Sequence, residues 1–221
     1  MRPFLKEISA FFDRRFFSGL LAYGIFFLTA IGVTVAMKEA SVYEGFDELI
    51  LRNVIAIRTE SLTVLMRAVT EFGDAKVLWA GTIALLALFW IKRRAVYFSA
   101  LLLSMAGASA IVMFLKYLFE RARPHVAQLM PENGYSFPSG HGALALAFWG
   151  IVVYFLIHRA SSLWTKGLLA FVAPCVVALI GFSRLYLGVH WPSDIAASYV
   201  IGGTWLFFVI AQAERKLHRP K

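Results

Sequence analysis

Six long apolar segments are the feature that most constrains how this chain can fold. They cover residues 16–37, 75–91, 95–115, 140–157, 167–182 and 195–211. A helix needs about 20 apolar residues to cross the hydrocarbon core of a bilayer. Within a bilayer only helices and closed barrels satisfy the backbone hydrogen bonds, and these runs are continuous rather than alternating. We therefore predict an all-α polytopic membrane protein with six transmembrane helices, forming a single integral membrane domain over residues 1–221.

Composition and charge support a membrane topology rather than a soluble nucleic-acid-binding protein. Hydrophobic residues make up 60% of the chain and charged residues 16%, against about 25% charged residues in soluble domains. The formal net charge is +9, but 13 of the 22 Lys and Arg residues lie in four short segments. These segments are 1–15, 92–94, 158–166 and 212–221. We expect no nucleic-acid partner, and the positive-inside rule predicts that both termini and the loop 92–94 are cytoplasmic, as in a bacterial inner membrane.

Two further predictions concern the segments near the N-terminal end. The apolar run 16–37 is too long for the core of a signal peptide, so we interpret it as a retained first helix. Residues 38–74 are mixed polar and apolar, with apolar positions at helical spacing, such as Phe46, Ile50 and Val54. This pattern predicts one or two amphipathic helices on the extracytoplasmic surface. They could simply pack over the bundle, or they could form a lid or a lipid-entry element.

Polar clusters occur where the predicted helices meet the extracytoplasmic side. The first cluster runs from Lys116, at the end of the third helix, to Arg123 and Pro124. Two permanent cations at this point could hold a phosphate, the arginine as a bidentate fork. A lysine that extends to the interface and an ordinary loop arginine would give the same pattern. Arg121 is a possible third cation that the spacing does not favour.

The second cluster is Pro138-Ser139-Gly140-His141, at the start of the fourth helix. Ser139 is a good N-cap, and Gly140 lets an anion approach the backbone. The unpaired amides of a first helical turn attract an anion. His141, within that turn, could give a proton to a leaving group. A capped helix with an interfacial histidine is the alternative.

The third cluster comprises Arg184, after the fifth helix, with His190 six residues later and Asp194 four residues after that. Pro192 suits the first position of the sixth helix, which places Asp194 in its first turn. A carboxylate on one imidazole nitrogen fixes the tautomer and leaves the other nitrogen as a nucleophile. A purely structural hydrogen bond between the two residues would also explain the pair.

Helix alternation brings all three clusters to one face of the membrane. Ionisable groups gathered near a membrane are functional by default. Charge clamps, a nucleophile, an acid and an orienting carboxylate are together the groups that phosphoryl transfer requires.

The three motifs resemble those of the type-2 phosphatidic acid phosphatase superfamily. They are Lys116…Arg123-Pro124, Pro138-Ser139-Gly140-His141 and Ser183-Arg184…His190…Asp194. The superfamily includes bacterial phosphatidylglycerophosphate and undecaprenyl-pyrophosphate phosphatases, lipid A phosphatases and vanadium haloperoxidases. The six-span layout is also similar to that of its bacterial membrane members.

The resemblance implies a role for each motif residue. His190 would attack phosphorus and form a phosphohistidine, Asp194 would orient it, and His141 would protonate the leaving group. The phosphoryl oxygens would be held by the remaining motif residues, Lys116, Arg123, Ser139, Gly140 and Arg184. No metal or other cofactor is implied, because fixed cations neutralise the charge.

The expected function is therefore a metal-independent phosphatase for lipid phosphates or pyrophosphates on the outer face of the cytoplasmic membrane. Its partners would be the phosphorylated lipid and the surrounding membrane lipids. The motifs do not separate undecaprenyl pyrophosphate, phosphatidylglycerol phosphate, phosphatidic acid and lipid A as substrates. A lipid phosphotransferase with the same intermediate and a non-enzymatic lipid transporter are the alternatives. The oligomeric state is not readable from the sequence.

Overall fold

A computed structural model describes residues 2–39, 44–125 and 128–218 of the 221-residue chain. Residues 40–43 of the predicted outer segment and residues 219–221 of the basic C-terminal end lie outside the described residues. The described residues form the helices α1 (Arg2–Phe11), α2 (Arg14–Glu39), α3 (Glu44–Ala56), α4 (Glu60–Glu71), α5 (Ala75–Ile91), α6 (Ala95–Phe119), α7 (Gly140–Arg159), α8 (Leu163–Tyr186) and α9 (Pro192–Leu217).

Within the described residues, six stretches are long and apolar enough to cross a membrane, which confirms the predicted fold class. They are Pro3–Gly32, Glu60–Ile91, Ala95–Phe119, Gly140–Arg159, Leu163–Tyr186 and Pro192–Leu217. The first includes α1, a short amphipathic helix that the sequence prediction treated as a loop. The second includes α4, which the prediction placed in the outer segment. Asp13 separates α1 from α2 by accepting a hydrogen bond from the Phe16 amide at 2.9 Å.

Helix α7 is the centre of the bundle, since α5, α6, α8 and α9 all pack against it. One buried cluster draws apolar side chains from these helices and from α1 and α2. Small and polar residues allow close helix contacts. Gly107 of α6 lies against the ring of Trp205 of α9, whose indole nitrogen donates to the carbonyl of Ser104 at 3.1 Å. Ser104 in turn donates to the carbonyl of Ala147 in α7 at 2.9 Å.

The outer segment forms two helices, as the spacing allowed, but the buried face of α3 differs from the predicted one. Phe46 is exposed, whereas Asp47 and Leu51 are buried. Val54 of the predicted stripe packs against the end of α8, but α3 is also held on α9 by a polar contact of Asp47, which an apolar stripe does not report. The prediction for α4 was better, since Met66 is buried and packs on the loop that follows α8.

Two helices run further than the apolar runs indicated. Lys116 lies within α6 rather than at its end, because the helix continues to Phe119 and stops where Glu120 adopts a left-handed conformation (φ 44°). Arg184 lies in the last turn of α8 rather than after it. The start of α9 at Pro192 was predicted correctly. Helices α5 and α6 are joined by the short basic turn at residues 92–94.

Candidate active site

The start of α5, the end of α6, the start of α7 and two loops, which contribute residues 132–135 and His190, surround a cavity of about 490 Å³. Its polar walls come from all three sequence clusters. The predicted site residues that line it are Lys116, Arg123, Gly140, His141 and His190. Ser139, Arg184 and Asp194 are fully buried directly behind this wall. The structure therefore gathers every predicted residue at one place, with five facing the cavity and three supporting them.

His190 is held from both sides of its ring. Its Nδ1 lies 3.3 Å from Oδ2 of Asp194, and its Nε2 lies 3.2 Å from Nη1 of Arg123. A guanidinium can only donate hydrogen bonds, so Nε2 must be the unprotonated acceptor and Nδ1 must carry the proton. The contacts thus select the tautomer whose lone pair is on the nitrogen next to the cations.

The environment of His190 favours the neutral ring. Burial lowers the pKa of His190 to about 4, and the nearby charges of Arg123 and Arg184 act in the same direction. Asp194 opposes this shift, both as a hydrogen-bond acceptor and as a negative charge. At neutral pH the imidazole is therefore uncharged and has a lone pair on Nε2.

Arg123 and Lys116 are fixed by the same loop. Arg123 donates through Nε to the carbonyl of Gly134 at 3.0 Å and through Nη1 to that of Val189 at 2.7 Å. The Nζ of Lys116 donates to the carbonyl of Tyr135, which also accepts from Arg123 at 3.2 Å. The hydrogen bonds that position both cations go to neutral carbonyls, which do not cancel their charge.

Arg184 is paired differently. It is buried, donates through Nη1 to the hydroxyl of Thr70 at 2.9 Å and through Nη2 to the carboxylate of Glu132. Glu132 also lies 3.8 Å from Arg123 and forms part of the cavity wall. Burial would raise the pKa of Glu132, but the charges of Arg184 and Arg123 outweigh this effect and hold that pKa below its usual range. A carboxylate thus occupies the position between two of the expected phosphate-binding cations.

The start of α7 has the predicted cap. The hydroxyl of Ser139 accepts from the amide of Gly142 at 3.3 Å, and the amide of Ser139 donates to the carbonyl of Asp194 at 3.3 Å. Gly140 borders the cavity, and a Cβ there would meet only Cγ1 of Val112, at 3.8 Å. His141, one residue further, faces the same cavity as His190. The first turn of α7 therefore places the backbone at Gly140 and the imidazole of His141 at the wall of the cavity, where they can contact a ligand.

Four residues that the sequence did not assign complete the site. Ser136 donates to Oδ2 of Asp194, and Arg121 donates to Oδ1 of Asp194 at 2.7 Å. Asp47 of α3 accepts from Arg121, and Glu132 bonds Arg184. For Arg121 the signal was its place inside the first motif, three residues before Pro124. For Asp47 the signal was an acid directly after the apolar position Phe46 of an amphipathic helix.

The opposite wall of the cavity is apolar and belongs to membrane-spanning helices. It is formed by Ala75 and Trp79 of α5 together with Val112 and Met113 of α6. Lys116 lies one turn beyond Val112 on the same face of α6. The cavity therefore runs from a cationic end to an apolar side between α5 and α6. Among residues 2–39, 44–125 and 128–218, no group of three His, Cys, Asp or Glu side chains could hold a metal ion.

A six-helix membrane fold with a tautomer-fixed histidine among anion-binding groups defines a membrane-embedded phosphatase. Residues 97–217 match the family model described as the PAP2 superfamily, and the chain belongs to that superfamily.

Similar proteins agree in class. Phosphatidylglycerophosphatase B of Bacillus subtilis is 29% identical over 197 residues, covering 88% of this chain and 94% of the relative. Undecaprenyl-diphosphatase of Sulfolobus acidocaldarius is 27% identical, with coverages of 86% and 88%. Among solved structures, a transmembrane PAP2-type phosphatidylglycerolphosphate phosphatase from Bacillus subtilis superposes with a TM-score of 0.75. The two sequences are 28% identical, and the match covers 86% of this chain and 94% of the solved chain.

Proposed function

We propose that this protein hydrolyses the terminal phosphate of a membrane lipid phosphate or pyrophosphate through a phosphohistidine at His190. The observation that carries the proposal is the double contact of His190, with Asp194 on Nδ1 and Arg123 on Nε2. This arrangement supplies a neutral nucleophile beside a cation that can bind the group under attack.

Substrate binding would release the nucleophile. Arg123 donates to Nε2, so the lone pair is covered. A phosphoryl group with three oxygens is a stronger acceptor for a guanidinium than an imidazole nitrogen is. When the phosphate takes over the Nη1 hydrogen bond, Nε2 is free to attack phosphorus. Lys116 and the first turn of α7, with Ser139 and Gly140, would hold the remaining oxygens, and Arg184 would add positive charge from behind.

The reaction would proceed in two steps at His190. Nε2 forms a bond to phosphorus while the bond from phosphorus to the leaving oxygen breaks, and His141 gives that oxygen a proton. Asp194 offsets the positive charge on the phosphorylated ring. A water molecule then attacks phosphorus, His141 takes a proton from the water, and the electron pair of the N–P bond returns to Nε2. Orthophosphate leaves, and both histidines regain their starting states.

The shape of the cavity supports a lipid as the substrate. A water-soluble phosphate would need only the cationic end, whereas the wall of Trp79, Val112 and Met113 would suit an acyl or prenyl chain. Relatives named for phosphatidylglycerophosphate and undecaprenyl diphosphate make these two lipids the first candidates. Phosphatidic acid and lipid A carry the same terminal phosphate and belong in the same test.

The charge distribution supports an orientation in a bacterial inner membrane with the site on the outer face. Lys216 near the end of α9 contacts Asp13 at 2.7 Å, which places the basic chain ends together. Positively charged ends of this kind remain in the cytoplasm. The active-site cavity lies at the opposite ends of α6 to α9. Accessibility of single cysteines placed at Glu120 and at Arg94, in intact cells, would test this orientation.

The test of the function is phosphate release from a panel of lipids by purified protein in detergent with EDTA. The panel contains undecaprenyl pyrophosphate, phosphatidylglycerol phosphate, phosphatidic acid and lipid A, and His190→Gln is the inactive control. We expect release from at least one lipid without added metal, and inhibition by vanadate, which mimics the five-coordinate phosphorus. Failure of the folded protein to act on any lipid would refute the proposal and would favour a transporter.

A phosphotransferase would share the first step and differ in the acceptor. Release of orthophosphate without a second lipid supports hydrolysis. Product that forms only when an acceptor lipid is added would instead assign the transferase.

A further inference from the structure

Arg121 links the catalytic carboxylate to the outer helix α3. Its Nη1 donates to Oδ1 of Asp194 at 2.7 Å, and its Nη2 donates to Oδ2 of Asp47 at 2.6 Å. The guanidinium also lies over the ring of Trp191, with Cζ 5.6 Å from the ring centroid. One arginine thus bridges two buried carboxylates that come from helices far apart in the sequence.

Asp47 is more than a counter-charge for Arg121. It is 1% exposed, and its Oδ1 accepts from the amide of Ser193 at 2.8 Å. Its Oδ2 accepts from the hydroxyl of the same serine at 2.5 Å. The amide of Ser193 is one of the first amides of α9, which have no partner within the helix. Asp47 therefore caps the helix that carries Asp194, from outside that helix.

The two oxygens of Asp194 have separate tasks. Oδ2 faces His190 and also accepts from the amide of Trp191 at 2.9 Å and from Ser136. Oδ1 is bound by Arg121. The carboxylate could not rotate without breaking the contact to Arg121, so the guanidinium fixes which oxygen faces the imidazole.

We propose that Arg121 and Asp47 are a positioning pair for the nucleophile, through which the docking of α3 sets the hydrogen bond between Asp194 and His190. The proposal deepens the proposed function and rests on it. Neither residue lines the cavity, so neither touches the substrate.

The charge of Arg121 also has a consequence for the second chemical step. In the phosphohistidine the Nδ1 proton lies between the imidazole and Asp194. Without the guanidinium, the carboxylate would draw this proton more strongly, and the ring would become a poorer leaving group when water breaks the N–P bond. Loss of Arg121 is therefore expected to slow hydrolysis of the intermediate more than its formation. A purely structural residue would not shift the balance between these two steps.

The experiment is a double-mutant cycle in the full-length protein in detergent. The variants are Asp47→Asn, Arg121→Gln and the double variant, with Arg121→Lys as the conservative replacement. Arg121→Gln leaves two buried carboxylates without their cation and could fail to fold. The double variant removes one positive and one negative charge together, so the net charge of the buried group is unchanged. Its kcat therefore tests the proposal even where Arg121→Gln does not fold. The matched control is Glu48→Gln, which breaks an exposed ion pair with Arg52 on the same helix.

Three readouts distinguish positioning from structural support. They are kcat, KM and the fraction of enzyme phosphorylated in the steady state, measured with labelled lipid and an alkaline quench. We expect kcat to fall about 10- to 100-fold in Arg121→Gln and in the double variant, the range found when the partner behind a metal-bound histidine is removed. KM should change by less than about 3-fold because the cavity cations are intact. The phosphorylated fraction should rise, and Arg121→Lys should regain part of kcat.

The cycle also tests whether Asp47 acts through Arg121. The double variant is expected to lose no more activity than Arg121→Gln alone, because an asparagine at position 47 can still accept from the Ser193 amide and the charge contact that Asp47 loses is the one to Arg121, which is already absent. The proposal would be overturned if the losses of kcat in the two single variants multiplied in the double variant. It would also be overturned if the double variant had the kcat and the phosphorylated fraction of the wild type.

If the proposed function is wrong, the same experiment gives a different result. The wild-type enzyme would then form no phosphohistidine at all, whatever the state of Arg121. A wild type that forms it, with variants that behave like Glu48→Gln, would reject the positioning pair alone.

Discussion

Nη1 of Arg123 lies 3.2 Å from Nε2 of His190, although the two residues are 67 positions apart in the sequence. The contact places a permanent cation on the nitrogen that we propose as the nucleophile. A phosphate that binds the cation must therefore arrive at the nitrogen that would attack it. In the proposed mechanism, substrate binding and nucleophilic attack would be coupled through this single hydrogen bond.

Replacement of Arg123 should damage the reaction rather than the fold. We expect Arg123→Gln to lower kcat/KM by about 10²–10³, the cost of one missing donor to a developing charge. Arg123→Lys should recover only part, because an ammonium cannot reproduce the planar fork. Phosphate release from the best lipid of the panel is the measurement. Arg67→Gln is the control, since this exposed arginine also donates to a loop carbonyl, that of Leu129, away from the cavity. Equal losses of kcat/KM in Arg123→Gln and Arg67→Gln would argue against a role of Arg123 in substrate binding.

We expect Glu132 to compete with the substrate for Arg184 and Arg123. It bonds Arg184 and lies 3.8 Å from Arg123, so an incoming phosphate meets a carboxylate of the same charge. Neutralising it in Glu132→Gln should tighten the binding of a small phosphate analogue. We expect the inhibition constant for vanadate to fall by about 10-fold, equivalent to about 1.4 kcal/mol. Glu120→Gln, at an exposed residue that bonds Tyr135, is the control. If vanadate inhibited Glu132→Gln no better than the wild type, the carboxylate would serve mainly to hold Arg184 and Arg123 in place rather than to compete with phosphate.

The protonation of His190 can be observed directly. Because burial lowers its pKa to about 4, the ring should remain neutral as the pH falls from 8 to 5 and should gain a proton only near pH 4. The lone pair on Nε2, and with it phosphohistidine formation, should be lost over that lower range. NMR of the five labelled histidines identifies the His190 signal as the one missing in His190→Gln. Titration of that signal near 6.5, the usual value, would contradict the account of its environment.

The close approach of α6 and α9 gives a prediction for stability. A Cβ at Gly107 would collide with the ring of Trp205, coming within 2.7 Å of its Nε1. We expect Gly107→Ala to lower the free energy of unfolding by about 1–3 kcal/mol, as overpacking in cores does. Thermal unfolding in detergent is the measurement. Gly24→Ala is the matched control, because a Cβ at Gly24 would meet nothing within 4 Å. Equal unfolding temperatures for both variants would show that Trp205 moves aside without cost.

Much of the fold could be predicted because lipid imposes a simple rule on sequence. Long apolar runs must be helices, so α5 to α9 were found with errors only at their ends. Those errors have a common cause. Lys116 and Arg184 are charged residues that continue a helix into a polar site, and hydropathy alone ends the helix before them.

The sequence predicted which motif residues lie together, but only a few of their contacts, such as that of His190 with Asp194. Helix alternation was enough to bring Lys116, Arg123 and His190 to one cavity. The partners of Arg184 and Asp194 could not be inferred in the same way. Glu132 belongs to an irregular loop and Asp47 to an amphipathic helix, and neither has a periodic pattern that reports a long-range ion pair.

The central claim is that the phosphoryl group passes through His190. The direct measurement is a rapid alkaline quench of the enzyme turning over its lipid, followed by peptide mass spectrometry. The account predicts a phosphorylated peptide that contains His190, present in the wild type and absent in a folded His190→Gln variant that releases no phosphate. Phosphate release by His190→Gln at the wild-type rate, or a phosphoryl group on another residue, would contradict it.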